Sequence, residues 1–459
     1  MMSSMPVSKP KQASKKKTKV VRPAVKVKVP KSPAYDSYSE ACKATFGPFQ
    51  DSDFYSSKAQ HILFYTDVTK ASAQSLRTEL YAAAASKQPI VLHLNSRGGD
   101  GFLGIMFANI LREIPVPLAC AVDGRACSAI TPILVAAPYR VMNPYALVMI
   151  HEGSFVAQML WVRDSELKYR TELTLRLSEQ YRRVYKKFTK IPDNMLDDML
   201  HRDQYMDDKT CLKHGVVDRV IKFDRAAMRR VFESYVKSDK KASERESCDV
   251  LSVRKWSKCN HIYAYNNDGS FVVTQGRRLL NSVAYLAEPL QEYAEGPRAV
   301  IVHYNMYMLP RQVMTADVLP LVVRICMSKV PVVGIIDTGI DLIHAIPCIV
   351  SHQRYMYENI DLEISLVQDH LRQSVTSYYK DIQINVDLMR DQVLGILKTW
   401  TRLPPSVLKS LYTKRMVLSA AQCKEYGIVD HVLTLRRGGA RPGPGPRKSP
   451  ASSPRGSAI

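Results

Sequence analysis

No two of the nine cysteines stand in a C-x-x-C pair: Cys42, Cys120, Cys127, Cys211, Cys248, Cys259, Cys326, Cys348 and Cys423 are scattered singly, several inside apolar runs. That absence argues against a zinc site or a disulfide framework and for the cytoplasm or another reducing compartment. Long hydrophobic runs are missing too, and no apolar segment follows the charged N-terminus. Neither a membrane helix nor a secretory signal is expected, and no membrane partner. A glycine-rich phosphate loop is lacking, so the chain is not expected to bind ATP itself, and no metal or organic cofactor is implied. Acidic residues are absent from both ends. The first 34 residues hold ten Lys/Arg and no Asp or Glu, and the segment from Arg436 onward holds six and none. Most of the formal net charge of +22 therefore belongs to two tails and not to a folded surface.

What is present suffices for two or three domains, with 459 residues and 46% hydrophobic composition. Residues 1–33 read as a disordered basic arm, because they lack the apolar periodicity that offsets ordering entropy. Ten like charges there suit the phosphates of RNA or DNA. Organelle targeting stays open: a presequence is Arg-rich and amphipathic, whereas this arm is Lys-rich and broken by Pro6, Pro10, Pro23 and Pro30. Residues 34–58 read as a junction. The run from Ser32 to Phe49 resembles the link between basic arm and shell domain in some small icosahedral virus coat proteins, which implies virion association.

From Ala59 the pattern alternates. Strand-like runs at 62–65, 89–94, 116–122 and 146–150 are separated by helical segments around 71–85 and 104–112. Alternation of this kind predicts an α/β domain with parallel strands over residues 59–223. A long helix carries Leu173, Leu177, Tyr181, Val184 and Phe188 on one face, and the domain closes with a helix stopped at Gly215 and a final strand. Residues 224–258 read as a helix and linker, charged and Ser-rich from Lys237 to Lys258, and residues 436–459 as a disordered Arg/Gly/Pro tail. Between them, residues 259–435 repeat the earlier order. Val330-Pro-Val-Val-Gly-Ile-Ile-Asp337 parallels Val116-Pro-Leu-Ala-Cys-Ala-Val-Asp123, and Cys423-Lys-Glu-Tyr-Gly-Ile-Val-Asp430 parallels Cys211-Leu-Lys-His-Gly-Val-Val-Asp218. The spacing predicts a duplication at the scale of a domain.

The candidate chemistry sits in the first copy. An apolar run up to Val122 meets small residues and then a helix-compatible segment with Pro132 in its first turn, which places Ser128 at a strand-to-helix turn. Taken alone, such a serine is an N-cap. His151 taken alone is an ordinary half-buried histidine at a strand end, the Gly98-Gly99 pair is a turn, and spacing does not select Asp203 from Asp197, Asp198, Asp207 and Asp208.

Together, Leu94-Asn-Ser-Arg-Gly-Gly-Asp100, Asp123-Gly-Arg-Ala-Cys-Ser128, Leu147-Val-Met-Ile-His-Glu152 and His201-Arg-Asp203 follow the order and approximate spacing of the Clp-type serine peptidases, a ClpP-like family that the segment from Ala59 to Phe223 resembles. The resemblance implies a ClpP/crotonase-like fold with Ser128 as nucleophile, His151 as base and Asp203 as its orienting carboxylate. The N–H groups of Gly99 and Ala129 would form the oxyanion hole, supported by Gly98, and the residues after Gly99 would offer a strand edge to an extended polypeptide substrate. It also implies a homo-oligomeric ring built through the long helix and a separate unfolding ATPase. Acyl-CoA enzymes of the crotonase type share the general fold, but the Ser/His/Asp set favours a peptidase. Two departures stand out: Arg97 replaces the usual proline, and only Glu152-Gly-Ser-Phe155 follows the histidine where a second glycine-rich piece is usual.

The second copy lacks these groups. Counted from Asp123 and Asp337, Ser128 falls on Leu342 and His151 on Ser365; counted from Gly215 and Gly427, Asp203 falls on Arg415. No glycine lies between Gly296 and Gly334, so the oxyanion pair is gone as well. The expectation is a serine endopeptidase whose second domain is catalytically dead and retained for assembly. The competing expectation, from the tails and the coat-like junction, is a nucleic-acid-binding structural protein that uses the same fold as an assembly module.

Overall fold

The computed structural model describes residues 33–153, 164–242, 259–267, 270–273, 278–280, 290, 292–293, 295–305, 315–366 and 379–434. Both basic tails and most of the linker lie outside these residues. The first elements are α1 (Pro33–Phe46) and a 3-10 turn over Asp51–Tyr55. They occupy the stretch read as a junction and belong to the core: Phe46 and Phe54 are buried and both stack on Tyr139, with ring centroids 5.8 and 6.2 Å away.

The first unit continues with β1 (Gln60–Phe64), α2 (Lys70–Ala85), β2 (Ile90–Ser96), α3 (Gly101–Ile110), β3 (Leu118–Cys127), α4 (Thr131–Ala136), β4 (Tyr139–Met142) and β5 (Leu147–Ile150). After it come α5 (Asp164–Phe188), α6 (Asp193–His201), β6 (Gln204–Met206), α7 (Asp208–Lys213), β7 (Arg219–Val220) and α8 (Arg225–Ala242). The last of these takes in residues 237–242, which the composition assigned to the linker.

Strands β2 and β3 are buried along their whole length, as expected of central parallel strands covered on both faces. The sheet runs β1-β2-β3-β4-β7, all parallel. Long β3 serves two neighbours in turn. Its first half, Ala119–Val122, pairs with β4, and its second, Arg125–Cys127, pairs with β5, which in turn carries β6 antiparallel on its outer side. That antiparallel addition departs from the purely parallel expectation. Helix α5 packs against α3 and α4 through Leu177, Tyr181 and Tyr185, while three i,i+4 ion pairs, Lys168–Asp164, Arg170–Glu166 and Arg176–Glu172, lace its exposed surface.

The second unit comprises β8 (Asn260–Asn267), β9 (Ser270–Val273), β10 (Arg278–Leu280), β11 (Val300–Asn305), α9 (Thr315–Cys326), β12 (Val332–Ile336), β13 (Ile340–Asp341) and α10 (Leu342–Ile349). It ends with β14 (Gln353–Tyr357), β15 (Asp361–Ile364), α11 (Tyr379–Trp400), α12 (Pro405–Ser410), β16 (Met416–Ser419), α13 (Ala420–Glu425) and β17 (His431–Leu433). Strands β8, β11, β12, β14 and β17 are parallel neighbours in that order, and β13-β15-β16 form a small separate sheet.

Particular ties recur between the units. Arg140 donates to Asp218 and to the carbonyls of Phe188 and Gly215; Arg354 donates to Asp430 and to the carbonyls of Trp400 and Gly427. Gly215 and Gly427 end their helices in the left-handed region, at φ 63° and 65°. Likewise His61, His93 and Asp123 form a hydrogen-bonded chain with spacings of 2.9 and 2.9 Å, and His261, His303 and Asp337 form another with 3.1 and 3.0 Å.

One histidine makes the fold acid-sensitive. His352 accepts a hydrogen bond from the Val332 N–H through Nδ1, and burial lowers its pKa to about 4. Between about pH 6.5 and pH 4 the unfolded chain then binds a proton that the folded chain refuses, so stability is full above 6.5 and falls by about 1.4 kcal/mol per pH unit below it. Urea midpoints measured from pH 7 to 4 should show a steeper loss for the wild type than for His352→Asn. Parallel curves would remove His352 as the cause.

Candidate active site

Register brings the site together before any side chain is considered. Cys127 of β3 is level with Met149 of parallel β5, so Ser128 leaves the sheet beside Ile150, the last residue of β5. Ile150 pairs with Gln204 of antiparallel β6, and one step beyond that pair His151 faces Asp203. Two strand pairings thus converge three residues that are far apart in sequence.

The side chains complete the arrangement. His151 Nε2 lies 2.6 Å from Ser128 Oγ, and His151 Nδ1 lies 2.9 Å from Asp203 Oδ1. With the carboxylate accepting from Nδ1–H, Nε2 is left as the acceptor that faces the serine hydroxyl. The hydrogen bond from His151 holds the Asp203 carboxyl below the usual carboxylate range, although the side chain is 66% exposed. Asp203 sits in the short connection between α6 and β6. The segment around His151 is pinned from both sides: Glu152 N–H donates to the Leu200 carbonyl and Gly153 N–H to Ser178 Oγ.

Ser128 is not a helix cap. Cys127 occupies the position before the 3-10 turn Ser128–Ile130, and the serine itself adopts φ 57°, a left-handed conformation that costs a non-glycine residue energy. The turn is held by a relay: Tyr185 O–H donates to Thr131 Oγ1, and Thr131 donates to the Ser128 carbonyl at 2.7 Å. Pro132 stands in the first turn of α4, where its missing N–H costs nothing.

Gly98 and Gly99 lie against this turn, at φ 102° and 140°. A Cβ on Gly98 would sit 2.6 Å from the Ser128 Cβ and 2.9 Å from the Ala129 nitrogen. Gly99 bridges Val68, whose carbonyl would be 2.3 Å from an added Cβ. The residues after Gly99 offer no strand edge, contrary to the sequence reading. Asp100 accepts from the Phe102 and Leu103 N–H groups and so starts helix α3 at Gly101. Gly98→Ala should distort the serine turn and lower the urea midpoint, since at φ 102° the added Cβ would meet the Cys127 carbonyl oxygen at 2.6 Å. A midpoint equal to that of the wild type would show that the turn absorbs the side chain.

The second unit holds other chemistry at the matching places. Asp341 pairs with Glu363, as Cys127 does with Met149, and Ile364 pairs with Met416, as Ile150 does with Gln204. The same steps lead to Leu342, buried at the start of α10, to Ser365, and to Arg415, whose guanidinium lies 3.8 Å from Glu363.

Contacts from this unit onto the first were not legible in the sequence. Asp317 of α9 pairs with Arg125 of β3, and Asn385 of α11 hydrogen-bonds the backbone at Asp203 and Tyr205. Among the described residues no group of three or more His, Cys, Asp or Glu is placed to hold a metal ion. No helix among them is long and apolar enough to cross a membrane. Ser154 and Phe155, where the sequence departs from the expected glycine-rich piece, lie outside the described residues.

Residues 51–224 match the family model described as Clp protease. The ATP-dependent Clp protease proteolytic subunit of Deinococcus radiodurans is 27% identical over 175 residues, covering 37% of this chain and 84% of that protein. Proteolytic subunit 1 of the ATP-dependent Clp protease of Chlamydia muridarum is 25% identical over 167 residues, covering 36% and 86%. A solved structure of a ClpP1 mutant from Listeria monocytogenes aligns at 20% identity and a TM-score of 0.32, covering 36% of this chain and 91% of the other. Residues 51–224 of the chain are thus similar in sequence to the proteolytic subunits of Clp proteases and match that family's model.

Proposed function

We propose that the chain is a serine endopeptidase in which Ser128, His151 and Asp203 hydrolyse peptide bonds of an extended polypeptide. The observation that carries this reading is the continuous hydrogen-bonded line from Ser128 Oγ through His151 to Asp203, at 2.6 and 2.9 Å, within a Clp protease family segment. As Ser128 Oγ attacks the scissile carbonyl carbon, its proton passes to His151 Nε2. Asp203 holds the imidazole in the tautomer that can accept that proton and stabilises the imidazolium formed. The backbone N–H groups of Gly99 and Ala129 receive the oxyanion, close to the serine because Gly98 has no side chain. His151 then protonates the leaving amine, and water releases the acyl group by the reverse sequence.

The second unit is, in this reading, a duplicated copy that kept the fold and lost the chemistry. The recurring arginine tie, the recurring His-His-Asp chain and the shared register support duplication, while Leu342, Ser365 and Arg415 support the loss. A ring of several chains and a separate unfolding ATPase fit the ATP-dependent relatives. The test is hydrolysis of an unstructured fluorogenic peptide by the full chain, compared with Ser128→Ala. Serine-dependent turnover supports the reading, and turnover indifferent to Ser128 contradicts it.

A further inference from the structure

Strand β6 is paired on one side only, by β5, and its outward backbone groups must find partners elsewhere. The second unit provides them. Asn385 Nδ2–H donates to the Asp203 carbonyl at 2.6 Å, and Asn385 Oδ1 accepts from the Tyr205 N–H at 3.3 Å. One amide side chain therefore does what a neighbouring strand would do, binding the C=O of one residue and the N–H of the residue two further on. The two bonds fix the amide's orientation, since a flipped Asn would set donor against donor and acceptor against acceptor. The same unit also grips the strand that carries the serine. Asp317 pairs with Arg125, three residues before Ser128, and the bare Gly124 lets the Ala316 carbonyl approach to 2.1 Å from where a Cβ would stand.

We propose that Asn385 is a positioning residue for Asp203, supplied by the second unit, so that this unit helps set the geometry of the triad as well as packing against it. The proposal rests on the Ser128–His151–Asp203 reading. The Asp203 carboxylate is 66% exposed, and it is anchored by its own backbone and by His151. Releasing the backbone lets the carboxylate leave His151 Nδ1 without disturbing any group that would meet the substrate. The expected signature is a fall in kcat at constant KM, because an interaction that orients the base acts in the transition state and not in substrate binding.

The experiment compares the full-length wild type, Ser128→Ala, Asn385→Ala and Asn385→Asp, with peptide kinetics and amide hydrogen exchange measured on each. Asn385→Ala should lower kcat by about 10-fold to 100-fold with KM within about twofold, the cost of a modest misplacement. Asn385→Asp keeps the acceptor for Tyr205 but sets an anion against the Asp203 carbonyl, and should fall at least as far. In Asn385→Ala the Tyr205 amide should also exchange faster. A kcat equal to that of a wild type whose turnover depends on Ser128 overturns the positioning role and leaves the triad standing. If the wild type shows no Ser128-dependent turnover, the triad reading has failed by itself. The grip is then judged by exchange at Tyr205, where an unchanged rate in Asn385→Ala overturns it.

Discussion

Ser128→Ala is expected to lower peptide hydrolysis by ~10⁴-fold or more while leaving the fold and the substrate KM nearly unchanged, because in the proposed mechanism it removes the nucleophile and moves nothing else. Ser128 is only partly buried, and its carbonyl contact with Thr131 does not use the hydroxyl. Alanine at φ 57° carries the same backbone strain that serine already tolerates. The loss should therefore be purely chemical, and circular dichroism and urea midpoints should match the wild type. His151→Ala is expected to cost about as much as Ser128→Ala, and the double variant no more than either, since residues acting as one unit are not additive. Losses that multiply in the double variant would mean that the two side chains act separately.

Asp123→Ala is expected to cost about 3–5 kcal/mol of stability, since it strips a fully buried carboxylate from its partners. Asp123 is 0% exposed and accepts from Tyr65 O–H at 2.5 Å and from His93 at 2.9 Å. Tyr55 Oη lies 2.8 Å from it, and the Arg324 guanidinium of the second unit approaches to 4.0 Å. Burial alone would push this carboxyl up; His93, Arg324 and Tyr65 together hold it below its ordinary value. Alanine would leave two hydroxyls, an imidazole and a buried guanidinium facing a void. The urea midpoint should drop accordingly, with a smaller drop for Asp123→Asn, which keeps the shape. A midpoint within about 0.5 kcal/mol of wild type, the range of an ordinary surface change, would show that the cluster reorganises at little cost.

Much of this architecture was legible because its signals are local. The apolar runs that became β2 and β3, the helical face of α5 and the helix-ending Gly215 and Gly427 follow from periodicity and from glycine's tolerance of positive φ. Ser128, His151 and Asp203 could be nominated only jointly, by order and spacing, since none is distinctive alone. The short strands β4 and β6 were not legible, being too brief to show alternation, and the purely parallel sheet expected from crossovers missed the antiparallel β6 that delivers Asp203. Asp100 reads as part of a glycine motif in sequence, yet it caps α3 and ends the strand edge expected there. Asn385 left no trace, because an asparagine on a helix bonding to backbone 182 residues away has no periodic signature. The His-His-Asp chains had one: both can be aligned between the two units once the Asp123 and Asp337 match is made.

In the proposed reading Ser128 is the chain's activated serine and residues 259–435 hold none. Intact-mass analysis of the folded full-length chain treated with a fluorophosphonate should then show one adduct per chain, located on Ser128 and absent from Ser128→Ala. A second adduct mapping to residues 259–435, or an adduct that survives Ser128→Ala, would contradict it, as would a folded chain that takes up none.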